Sequence, residues 1–72
     1  MLQSKLGSSL YHSRINLGYT QNQVAQAVSI SVRWYQRIEK GEKLPSSIVL
    51  IRLVLFLHID LEEYRGEVGL LD

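Results

Sequence analysis

Residues 18–41 read Gly18-Tyr19-Thr20-Gln21-Asn22-Gln23-Val24-Ala25-Gln26-Ala27-Val28-Ser29-Ile30-Ser31-Val32-Arg33-Trp34-Tyr35-Gln36-Arg37-Ile38-Glu39-Lys40-Gly41. Thr20 can accept from the open amides of a helix's first turn, and Gln23 stands three residues on to complete a capping box. Val24, Ala25 and Val28 then fall on one side, with Ala25 small enough for a steeply crossing helix to approach closely. Ser31 is the next cap, and behind it Tyr35 and Ile38 share a face that Arg33, Trp34 and Arg37 avoid. Gly41 tolerates a left-handed backbone and so marks a C-terminal stop. The stretch therefore predicts two short helices, near 21–28 and 32–40, joined by a tight turn. The second carries its arginines on the side its apolar residues leave free.

Outward from this pair the chain is helical in both directions. Leu2 to Leu17 predicts a first helix with Leu6, Leu10 and Leu17 on one side, serine-rich and dependent on the core for stability. Past a loop through Glu42, Lys43, Leu44 and Pro45, either Ser46 or Ser47 caps a fourth helix. Asp60 with Glu63 makes a second capping-box pattern, predicting a short fifth helix that ends before Gly66. The expectation is an all-α, compact five-helix domain over residues 1–65 and a loosely held tail over 66–72, where Val68, Leu70 and Leu71 are apolar.

The chain resembles the helix-turn-helix domain shared by phage repressors of the Cro/C1 type and by bacterial regulators of the Xre family. The resemblance runs from about Leu6 to Tyr64, through Leu6-Gly7, Arg14, Gly18 to Gln21, Val24-Ala25, Ile30-Ser31, Arg37-Ile38-Glu39-Lys40-Gly41, Pro45-Ser46 and Leu57 to Tyr64. It implies that the third helix enters the major groove of double-stranded DNA. Spacing and resemblance together make Val32, Arg33 and Arg37 the candidates for base edges. Either arginine can bind guanine O6 and N7, whereas Val32 can only pack against a thymine methyl. Thr20, Asn22, Lys40 and Lys43 are cast as contacts to the DNA backbone. The resemblance adds Gln21 as a phosphate contact that lacks the polar partner on the third helix found in some repressors, because Val32 stands opposite. Trp34 replaces a small family residue near the DNA backbone, where it would stack on sugar, donate to phosphate or pack back on the protein. Arg14 and Glu39 occupy the positions of a buried structural ion pair in similar domains. Ser29 stands where the family's turn favours glycine, which implies a left-handed backbone at a strained residue.

Charge divides along the sequence. The net value is +1, but residues 1–43 carry six Lys or Arg against Glu39 and Glu42, while residues 44–72 carry two bases against five acids. Such a chain can turn a basic face to phosphates and an acidic face away; ordinary solvated charge is the plainer explanation. At 72 residues there is room for a single core, worth about 3–5 kcal/mol. The absence of cysteine removes disulfides, thiolate metal sites and cysteine nucleophiles. No charged leader with an apolar run opens the sequence, so the expected location is cytoplasmic, with the nucleoid. His12 and His58 are 46 positions apart with no carboxylate pair or phosphate loop beside them. The expectation is therefore no catalysis, no cofactor and no metal.

The run Ile48-Val49-Leu50-Ile51-Arg52-Leu53-Val54-Leu55-Phe56-Leu57 holds one polar side chain. A helix apolar all round must bury both sides, and ten residues are too few to span a bilayer. Either Ile48, Val49 and Leu55 are simply exposed or covered by the tail, or they form a second buried surface. The resemblance favours a homodimer contact made by Ile48, Val49, Leu55 and Ile59, so that two reading helices meet an inverted repeat. A protein partner docking on the same apolar surface is the rival expectation.

Overall fold

The computed structural model describes residues 2–64. It contains α1 (Leu2–Leu17), α2 (Gln21–Ala27), α3 (Val32–Glu39) and α4 (Ser47–Leu57), followed by one 3-10 turn at Leu61–Tyr64. The all-α expectation holds, but the fifth α-helix does not form. Asp60 Oδ1 accepts from the backbone N–H of Glu62 at 3.0 Å, an Asx turn, and among the described residues the four that follow, Leu61–Tyr64, form a 3-10 turn. Tyr64 closes this turn onto α1, its hydroxyl bonding Ser9 Oγ at 2.6 Å and the Lys5 carbonyl at 3.3 Å. The side chain of Glu63 and the tail 66–72, with Val68, Leu70 and Leu71, lie outside the described residues.

Three helices start on a hydroxyl. Thr20, Ser31 and Ser46 each accept from the backbone N–H three residues on, at 3.1, 3.0 and 3.3 Å. At Thr20 the reciprocal arm is also present, its own N–H donating to Gln23 Oε1 at 2.8 Å. All four helices end the same way. Gly18, Ser29, Gly41 and His58 have φ of +79°, +64°, +82° and +57°, and the residue after each donates back to a carbonyl five positions earlier. Two of the four left-handed closures thus fall on residues with a Cβ.

The core is built from Leu6 and Leu10 of α1, Val24, Ala25 and Val28 of α2, Tyr35 and Ile38 of α3, Leu53 and Leu57 of α4, with Ile59 and Tyr64. α1 packs on α3 and α4, and α2 packs on the same two helices. Gly7 lets α1 meet α3 backbone to backbone: a Cβ there would run into the carbonyl oxygens of Glu39 and Ile38. Leu17 departs from expectation at 44% exposed. Residues 15–18 are all exposed, so the last turn of α1 runs past its packing partners, and the buried stripe continues through Arg14 instead.

α4 buries one side only. Val49, Leu50, Val54 and Phe56 are partly buried against the core, Phe56 stacking on Tyr19 with ring centroids 4.7 Å apart. Ile48, Ile51 and Leu55 face outward at 58%, 55% and 72% exposed. Two members of the expected interface therefore turn inward. Val49 leans on the core, and Ile59 is buried at 9% exposed because the left-handed turn at His58 folds the chain back. Ile51 takes their place on the outer stripe. Arg52 donates from Nη1 to the Val28 carbonyl at 3.2 Å, tying α4 to the end of α2. No helix among the described residues is long and apolar enough to cross a membrane.

Candidate nucleic-acid interface

α3 presents two unlike sides. Tyr35 and Ile38 are fully buried, while Val32, Arg33, Arg37 and the C-cap Lys40 are exposed. Positions 33, 36, 37 and 40 recur at helical spacing, and Arg33, Gln36, Arg37 and Lys40, with Glu42, surround an open concavity of about 420 Å³. Arg37 is steered within it: Nε lies 3.6 Å from Glu42 Oε1, and the guanidinium sits 5.8 Å from the Trp34 ring centroid. Trp34 itself is partly buried against the core, so it floors Arg37 while completing the apolar packing of α3. Thr20 and Asn22 are exposed at the start of α2, and Thr20 spends its hydroxyl on the helix cap. Lys43 is exposed in the loop before α4 and does not line the concavity.

The acid on α3 is withdrawn from this surface. Glu39 turns inward to Arg14, which grips it with two bonds of 2.9 Å from Nε and Nη2. Arg14 donates its third bond, from Nη1, to the Tyr19 carbonyl at 3.1 Å. The Tyr35 hydroxyl donates to Glu39 Oε2 at 2.5 Å and Gln21 Nε2 to Oε1 at 3.0 Å. The two charged side chains are only 10% and 7% exposed. Burial pushes the Glu39 carboxyl upward, but the bonds from Arg14, Tyr35 and Gln21, with the Arg14 charge, outweigh it and hold the group below the usual carboxylate value. The bond to Glu39 raises Arg14 against its burial. Burial first, then the bond to Glu39, pushes the Tyr35 phenol far above its ordinary value. With Glu39 neutralised inside, the outer side of α3 carries Arg33, Arg37 and Lys40 against Glu42 alone.

Gln21 is not the unpartnered residue that the sequence implied. Its partner on α3 is Gln36, whose Nε2 donates to Gln21 Oε1 at 3.1 Å, rather than the residue at position 32. Gln21 is half-buried, joining the inner network to the outer concavity. Gln36 and the Tyr35 hydroxyl were missed in the sequence. The available signal was the 33–36–37–40 spacing, in which Gln36 is the one uncharged member.

A family model described as helix-turn-helix matches residues 10–64. No curated protein matches the sequence. Among solved structures, two of the clp gene regulator ClgR from Corynebacterium glutamicum superpose on this chain with TM-scores of 0.80 and 0.79. Both are 26% identical to it and cover 96% of it; the matches span 73% and 88% of those chains.

Proposed function

This chain belongs to the Cro/C1-type helix-turn-helix family, also called Xre, whose members are DNA-binding transcription regulators, and from that membership we propose that it acts as a homodimeric, sequence-specific repressor. The observation that carries the reading is the exposed Arg33, Arg37 and Lys40 stripe on the second helix of the pair, its neighbouring acid folded away onto Arg14. α3 enters the major groove. Arg33 and Arg37 each read a guanine through O6 and N7, worth about 1–3 kcal/mol of discrimination apiece, and Val32 packs on a thymine methyl. Thr20, Asn22, Trp34, Lys40 and Lys43 contact sugar or phosphate and set register and affinity. Gln21 braces α3 from within as well as lying near the backbone.

Two such heads joined through Ile48, Ile51 and Leu55 of α4 read half-sites about 34 Å apart, one helical turn, and hence an inverted repeat. Occupancy of that repeat excludes polymerase from a promoter, so the protein works where the chromosome is.

The test is selection from a random duplex pool at near-physiological salt, with Arg33→Ala/Arg37→Ala alongside. Wild type should enrich an inverted repeat. The double variant should lose it while remaining a folded dimer by sedimentation. Folded wild-type protein that enriches no motif would overturn the proposal and direct attention to a protein partner for the α4 face.

A further inference from the structure

We infer that Gln36 is a fourth base-reading residue, selective for adenine, and that Gln21 is the positioning residue that sets its amide. The inference rests on α3 lying in the major groove, as proposed above.

Glu39 sets the orientation of both amides. An ionised carboxylate can only accept, so Gln21 must present its NH₂ group, and Nε2 stands 3.0 Å from Glu39 Oε1. The other end of the Gln21 amide, its carbonyl, is thereby turned to α3. Gln36 in turn must donate, and its Nε2 lies 3.1 Å from Gln21 Oε1. The charge on Glu39, held by the two-bond grip of Arg14, thus dictates the rotation of two successive amides. This bond takes one N–H of Gln36; its second N–H and its carbonyl oxygen engage no other described residue.

That remaining edge is one acceptor beside one donor. In the major groove adenine offers the complement, N6–H₂ as donor and N7 as acceptor, whereas guanine offers two acceptors. Gln36 is also in the right place: it lines the concavity with Arg33, Arg37 and Lys40, one turn from each of Arg33 and Lys40 along α3. A glutamine free in water gives up torsional freedom when it docks, and one already tethered through Nε2 gives up less.

The test compares sequences selected from the same random duplex pool by wild type, Gln36→Ala and Gln21→Leu, each checked for helix content. Wild type should show an A·T pair at one position of each half-site. Gln36→Ala should randomise that position, weakening the best wild-type site by about 5- to 100-fold, with the guanines and the salt dependence retained. Gln21→Leu should relax the same position, a change in base preference that lost bracing or a lost phosphate contact would not produce. A wild-type motif that passes unchanged into the Gln36→Ala selection overturns the inference and leaves the regulator reading intact. A preference relaxed by Gln36→Ala but retained by Gln21→Leu overturns the positioning role. Absence of any wild-type motif overturns both readings.

Discussion

At the scale of single residues, Glu39 holds the domain and its reading surface together. It accepts from three helices, through Arg14 of α1, Gln21 of α2 and Tyr35 of α3. Because its folded-state pKa lies below the unfolded value of about 4.3, the folded protein binds that proton less readily than the unfolded chain. The stability this group contributes is complete above that value and is lost as pH falls through the native one. Denaturant midpoints should therefore drop on acidification below about pH 4.3. Glu39→Gln leaves Arg14 buried without its counter-charge, a loss of about 3–5 kcal/mol that matches the worth of the whole core, so the variant should be largely unfolded at neutral pH and, when refolded by a stabilising osmolyte, should show a flattened acid limb. A variant whose acid limb matches that of wild type would assign the effect to another carboxylate. The Arg14–Glu39 pair was legible from residue types at matching positions. The Gln21–Gln36 bond was not, because the resemblance sets position 32, not 36, opposite the start of α2, and only the helix crossing brings Gln36 to it.

At the scale of elements, beginnings were easier to read than endings. Thr20 and Ser31 were legible as caps because each is a hydroxyl residue directly ahead of a helical stretch and few residue types can cap one, while at α4 the sequence left Ser46 and Ser47 open and the structure selects Ser46. Gly41 announced its own left-handed turn, and Ser29 could be inferred from the place it occupies. His58 carried no such signal: nothing in a histidine marks positive φ, yet the turn there folds Ile59 and Tyr64 back onto the core. Sequence also overcounted, since Asp60 makes an Asx turn with Glu62 rather than the cap of a full helix. Both non-glycine closures should be improvable. Ser29→Gly and His58→Gly are each expected to raise stability by up to about 1 kcal/mol by relieving the left-handed Cβ, which thermal melts can resolve; lower midpoints for both would mean the two side chains are earning compensating contacts.

At the scale of the whole molecule, the sequence of α4 predicted a second apolar surface and placed Ile48 and Leu55 on it, but added Val49 and Ile59, which pack inward, and passed over Ile51. A helix apolar all round offers no polar face to orient it, so which residues point outward is decided by how α1 and α2 pack on it. The outer stripe is Ile48, Ile51 and Leu55, and Leu55 is the most exposed of the large apolar residues described. Leu55→Glu should leave the fold intact, since the side chain touches water already, and should convert a dimer to monomers in sedimentation equilibrium at micromolar protein. Specific operator affinity should fall with it, while salt-dependent attraction to any duplex persists. An unchanged association state would remove α4 from the interface. The protein also contains a single tryptophan, and the fold puts it on α3 under the guanidinium of Arg37. An indole is the dominant intrinsic fluorophore of a chain like this, so emission at long ultraviolet wavelengths comes from one known place on the reading helix. The molecule carries its own optical probe of that surface, without any label attached.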